Sequence, residues 1–85
     1  MITFEFSVSA KKVFIKLELK RQERIINKLK SLKDHPNISQ VLGTLTDFSP
    51  ATHRLRIGSF RLILEQKSAK KFLILDLGHR RSIYK

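Results

Sequence analysis

Cysteine is absent from the 85-residue chain, which excludes a disulfide framework, a thiol nucleophile and a thiolate metal site, and fits a reducing cytoplasm. Long apolar runs are missing too. Nothing approaches the roughly 18 consecutive apolar residues that span a bilayer, and the opening Met1-Ile2-Thr3-Phe4-Glu5-Phe6 lacks the basic stretch of a secretory signal. The expectation is a cytoplasmic protein that does not engage a membrane. No glycine-rich phosphate loop is present, the three histidines lack ligand spacing, and Glu5, Glu18, Glu23, Asp34, Asp47, Glu65 and Asp76 are scattered. Neither a metal nor a nucleotide cofactor is therefore expected.

Negative charge is the other scarcity. Eighteen Lys and Arg against seven Asp and Glu give a formal net charge of +11, which in so small a chain favours a polyanionic partner. The excess is placed unevenly. Residues 11–33 carry nine basic and two acidic side chains, residues 51–85 carry the same numbers, and residues 34–50 carry no Lys or Arg. A chain of this length suits one domain over residues 1–85, with room for a single core.

The residues from Ile2 to Ser7 alternate, with Ile2, Phe4 and Phe6 on one side, as in a half-buried strand. Ser9 is placed to cap a helix whose apolar positions are Ala10, Val13, Phe14 and Leu17. A second stripe, Ile25, Ile26, Leu29 and Leu32, lies about a quarter turn away from the first, so one straight helix would bury basic residues. A break near Glu18-Leu19 resolves the conflict and predicts a helical pair. Pro36 limits any continuation. Residues 37–50 read as a packed connector with a short strand near Thr44 to Thr46.

The stretch Thr52-His53-Arg54-Leu55-Arg56-Ile57-Gly58-Ser59-Phe60-Arg61-Leu62-Ile63-Leu64 reads as a β-hairpin turning at Gly58-Ser59, a pair suited to a type II′ turn. Alternation puts Leu55, Ile57, Phe60, Leu62 and Leu64 on one face and Arg54, Arg56 and Arg61 on the other. Three guanidinium groups on one face repel each other unless an anion visits them, and their forks match phosphate oxygens. The alternative is a solvated face in which they pair with Glu65 or Asp76. Residues 71–77 predict a central strand with Leu73, Leu75 and Leu77 on one face and Phe72 and Ile74 on the other. The fold class is α+β: an N-terminal strand, a helical hairpin, then three to four antiparallel strands in one sheet, with the helices on one face.

The hairpin from His53 to Ile63 resembles the Arg-x-Arg-x-Gly-x-Tyr-Arg strand pair of the RelE/ParE superfamily of toxins, and Gly78-His79-Arg80-Arg81-Ser82-Ile83-Tyr84 resembles that family's Gly-His-Arg-x-x-x-Tyr ending. The resemblance covers nearly the whole chain. It implies the toxin of a type II toxin-antitoxin system, neutralised by a cognate antitoxin. In the RelE-like branch it implies a ribosome-dependent endoribonuclease, an mRNA interferase that inhibits translation. In the ParE-like branch it implies binding to DNA gyrase without cleavage, and a third alternative is an inactive homologue. On the RelE-like reading, Arg61 matches the arginine that stabilises charge on the scissile phosphate, Arg80 a second arginine near the end, and Tyr84 the aromatic that orients the nucleotide. Arg54, Arg56 and Arg81 are then RNA-binding.

Attack of a ribose 2′-hydroxyl on the adjacent phosphate needs alignment, two proton transfers and stabilisation of the added charge, and no metal. Arginine is effectively never deprotonated, so Arg54 and Arg56 are unsuited to act as base where some members carry lysine. His79, beside Arg80, is the first choice for proton transfer because histidine titrates near neutrality, with Tyr84 second. The plainer reading of His79 is a structural hydrogen bonder at a strand end, and that of Tyr84 a packed terminal aromatic. His53 shares the parity of Leu55 and Ile57, and His35 reads as a helix terminus.

Overall fold

The computed structural model describes residues 1–79. Strand β1, Thr3–Phe6, leads into helices α1, Val8–Phe14, and α2, Leu19–Leu32. A short 3-10 turn at Ile38–Gln40 precedes β2, Gly43–Thr44, and then β3, His53–Ile57, β4, Phe60–Ser68, and β5, Lys71–His79. The five strands form one sheet in the order β1-β5-β4-β3-β2. All neighbours are antiparallel except β1, which runs parallel to β5 with Phe4 opposite Phe72. The helical pair is the crossover that parallel pairing requires. The architecture is the expected α+β class with one more short strand than the lower expected count.

The N-cap of α1 is Ser7, two residues before the expected Ser9. Ser7 takes an extended backbone, its Oγ accepts from the Ala10 N–H at 3.0 Å, and the same hydroxyl donates to the Leu75 carbonyl at 3.0 Å. A serine facing β5 can cap and tether together, which Ser9, exposed, does not. Ser7→Ala is expected to lower stability by about 1–2 kcal/mol, since it removes both a cap and a tether. A shift in urea midpoint with unchanged slope would register it; no shift would mean water replaces both bonds.

The break between the helices falls where the two stripes diverge. Gln22 fills the joint, its Nε2 donating at 3.1 Å each to the Leu17 carbonyl and to the Phe14 carbonyl, which also accepts from the Leu17 N–H. One continuous core then forms between the helices and one sheet face, with Ala10, Ile25, Leu29 and Leu32 above Leu55, Leu62, Leu64, Phe72 and Ile74. Ile26 lies at its margin, half-buried.

Strand β5 departs from the expected alternation. Leu64 stands opposite Ile74 but Ile63 stands opposite Asp76, so Leu75 is an inserted bulge residue. The bulge resets parity, and Leu77 joins Phe72 and Ile74 in the core instead of Leu73 and Leu75. It also delivers the Leu75 carbonyl to Ser7. A further consequence is that Asp76 moves to the face opposite the helices.

Candidate functional site

The β3–β4 turn is set by Gly58, whose φ of 61° is left-handed while that of Ser59 is not, the pattern of a type II′ turn. Ile57 and Phe60 pair across it, and the register continues with Arg56 opposite Arg61, Leu55 opposite Leu62 and Arg54 opposite Ile63. Partners in an antiparallel pair share a face, so the three arginines do occupy the face away from the helices.

They are splayed, however, as like charges without a counterion should be. The Arg54 side chain runs over Gly43, and a Cβ at that glycine would stand 2.7 Å from Arg54 Nε. Arg56 is exposed at the β3 edge beyond short β2, where it lines a cleft with Arg24 and Lys28. Arg61 sits between Arg56 on β3 and Gly78 on β5 and is only 7% exposed. Its Nη1 is buried without a hydrogen-bond partner. The acids of this face do not neutralise it: Glu65 pairs with Lys67 at 3.1 Å, and Asp76 Oδ1 accepts from the Leu77 N–H at 2.8 Å. Among the described residues no ion pair joins the three arginines to Glu65 or Asp76, although Arg54 and Arg56 are exposed to solvent.

His79 is placed elsewhere. It pairs with Phe60, and the two rings meet edge-on with centroids 6.2 Å apart, so His79 shares the face of Phe60 and Leu62 and points away from Arg61. The parity reset at Leu75 produces this placement. Arg80, Arg81 and Tyr84 lie outside the described residues. His53 packs its ring edge-on to Phe72 at 5.5 Å, with Nδ1 2.8 Å from Thr52 Oγ1. His35 Nδ1 accepts from the Asn37 N–H at 3.0 Å, as suits a helix terminus.

Burial lowers the pKa of His53 below its ordinary 6.5, because desolvation disfavours the imidazolium. The unfolded chain therefore binds more protons than the folded one as pH falls through and below about 6.5, so stability should decline on acidification from pH 7 to 5.5. His53→Gln is expected to flatten that decline, measured as urea midpoints at the two pH values; an equal slope in both proteins would assign it to other groups.

Two features escaped the sequence reading. Asp76 enters the arginine face through the bulge, opposite Ile63 and two residues along β5 from Gly78, the partner of Arg61. Arg21 and Arg24, basic residues surrounding the apolar stripe of α2, meet the hairpin turn: the Arg21 guanidinium lies 4.6 Å from the centroid of the Phe60 ring, and a Cβ on Gly58 would stand 3.1 Å from Arg24 Nη2. Their spacing beside the Ile25 stripe was the available signal.

No protein-family model matches the chain, and no curated protein matches it in sequence. Solved structures do match it in shape. The toxin-antitoxin complex RelBE2 from Mycobacterium tuberculosis contains a chain with a TM-score of 0.75 and 22% identity, covering 93% of this chain and 98% of that one. The fold is that of the RelE toxins. The intact RelBE toxin-antitoxin complex of E. coli gives a TM-score of 0.69 at 20% identity over 93% of this chain and 96% of the other. The isolated E. coli RelE toxin gives 0.71 at 20% identity over 93% of this chain and 84% of the other. Within this RelE-like frame, the arginine hairpin occupies β3 and β4 at the centre of the sheet. Among the described residues no helix is long and apolar enough to cross a membrane, and no group of three His, Cys, Asp or Glu is placed to hold a metal.

Proposed function

We propose that this protein is a toxin of a type II toxin-antitoxin system and that it cleaves mRNA on the ribosome by attack of a 2′-hydroxyl on the adjacent phosphate. The observation that carries the reading is Arg61: a residue only 7% exposed, facing Arg56 across the strand pair, with its Nη1 buried and unpartnered. A buried unpaired cation is strongly unfavourable on its own, and a phosphate oxygen arriving at this face satisfies it. Shielded from water, it stabilises the charge that builds on a five-coordinate phosphorus more effectively than an exposed arginine would.

The proton from the 2′-hydroxyl needs an acceptor that Arg54 and Arg56 do not provide. With His79 on the opposite face, Asp76 is the carboxylate that the sheet brings to the side of Arg61. The 2′-oxygen gives its proton to the Asp76 carboxylate and forms a bond to phosphorus, the bond from phosphorus to the 5′-oxygen breaks, that oxygen takes a proton from water, and a 2′,3′-cyclic phosphate remains. The ribosome would align the message, which lets a sparse site act. Partners on this reading are the ribosome, mRNA and a cognate antitoxin, in a cytoplasmic setting. The antitoxin is supported by the two structural neighbours that are toxin-antitoxin complexes.

The test is to add the purified protein to a reconstituted translation system with a defined mRNA and to map new 5′ ends. Cuts that require ribosomes support the reading. Intact message at saturating protein would overturn it and favour gyrase binding or an inactive homologue.

A further inference from the structure

Two clefts open where the first half of α2 meets the β3–β4 turn. One, of about 130 Å³, is lined by Arg21, Arg24, Ile57, Ser59 and Phe60 among others. The second, of about 380 Å³, shares Arg24 and reaches past Gly58 to Lys28 and Arg56. We propose that Arg24 and Arg21, held against the hairpin turn, form a phosphate-binding notch that guides the backbone of single-stranded RNA from the arginine face round the β3 edge to α2. This rests on the RNA-directed reading above and adds a second contact site to it.

Both guanidinium groups rest against the hairpin turn before any ligand arrives. Arg21 is stacked on Phe60, a cation held over an aromatic face. Arg24 lies flat above Gly58, where Nη1, Nη2 and Cζ would all stand 3.1–3.2 Å from an added Cβ. Only glycine accepts both that approach and the left-handed φ of 61°. The ion pairs among the described residues are Lys67–Glu65 and Lys71–Glu5, so neither arginine has an acidic counterpart. A pair of uncompensated forks beside the Ser59 hydroxyl suits the tetrahedral oxygens of a phosphate.

The occupant is nucleic acid rather than an acidic protein segment for two reasons. Arg56, which lines the second cleft, is the cross-strand partner of Arg61, so a backbone passing Arg56 is led toward both sites. An amphipathic protein segment would also need apolar contacts, and those gather elsewhere, in a groove of about 540 Å³ lined by Phe6, Phe14, Ile15 and Ile26.

The experiment is binding of 5′-labelled octauridine by fluorescence anisotropy without ribosomes, with amide NMR of Gly58 and Ser59 during titration of inorganic phosphate. Arg24→Glu is expected to weaken octauridine binding at least about tenfold and to reduce the salt slope by about 0.7, the share of one single-strand phosphate contact. Arg24→Lys should fall between, keeping charge without the fork. Phosphate should shift the Gly58 and Ser59 amides in the wild type and not in Arg24→Glu. Arg24 is exposed, so an unchanged thermal melt is expected to accompany these losses. Unchanged affinity and slope in Arg24→Glu would overturn the notch, as would turn amides that respond to polyglutamate and not to octauridine. A protein that binds octauridine through Arg24 yet leaves ribosomal message intact would keep the notch and lose the cleavage reading; cleavage indifferent to Arg24→Glu, with octauridine binding also unchanged, would do the reverse.

Discussion

Replacing Arg61 with alanine is expected to lower ribosome-dependent cleavage about 10²- to 10³-fold, the range seen when one preorganised donor to a transition-state oxyanion is removed, while leaving the protein as stable as before or more so. Ordinary buried residues behave in the opposite way, losing stability when truncated. Arg61 differs because its guanidinium is buried without a salt bridge and with Nη1 unsatisfied. Removing it relieves a desolvated charge and the repulsion from Arg56 across the register. The apolar stem does contribute packing, so Arg61→Met is the cleaner variant: it keeps most of the stem and should raise the urea midpoint while cleavage falls equally. Loss of stability in both variants would make Arg61 a structural residue and would remove the main support for the proposed site.

Arg54→Ala provides the internal contrast. Its side chain is drawn over Gly43 on the far side of β3 from Arg61, so on the proposed reading Arg54→Ala is expected to weaken RNA binding and leave the cleavage step itself unchanged. The parity of the hairpin was legible from residues 52–64 because strict alternation and a Gly-first turn specify which side chains share a face. How the arginines divide that face was not legible. It depends on Gly43, brought beside Arg54 by a two-residue strand, and on Gly78, brought opposite Arg61 by β5.

The same distinction between local and long-range information runs through the rest of the chain. The break between α1 and α2 could be read because two apolar stripes out of phase leave no other way to bury both. The Ser7 cap could not, since Ser7 and Ser9 both precede apolar positions and only the Leu75 carbonyl, 68 residues away, selects between them. The bulge at Leu75 is silent in a run as apolar as Phe72-Leu73-Ile74-Leu75, where either parity looks acceptable. Its effects are nonetheless the largest corrections: Leu77 enters the core, Asp76 joins Arg61, and His79 leaves. Pairing of β1 alongside β5 joins residues 3–6 to 71–74 and has no local signature.

Phe72→Ala is expected to be the most destabilising single change in the core, by about 3–5 kcal/mol. Phe72 is 1% exposed. It stacks on Phe4 with centroids 5.8 Å apart and receives the edge of His53 at 5.5 Å. It therefore joins the parallel β1–β5 pair to the strand that carries Arg54 and Arg56. Truncation leaves a cavity, removes two ring contacts and loosens the edge strand that closes the crossover. A domain of 85 residues has net stability of roughly 4–13 kcal/mol, so the loss is a large fraction of the whole, and the apparent Tm should fall by more than about 12 °C. Leu19→Ala serves as the comparison: Leu19 is 70% exposed, and its change should stay within about 0.5 kcal/mol. Because β5 also positions Gly78 and Asp76 beside Arg61, Phe72→Ala should lose cleavage in step with its folded fraction. Near-wild-type melting in Phe72→Ala would show that the β1–β5 pair is held by its hydrogen bonds and the helices alone, and that the centre of the core lies toward Leu62 and Leu64.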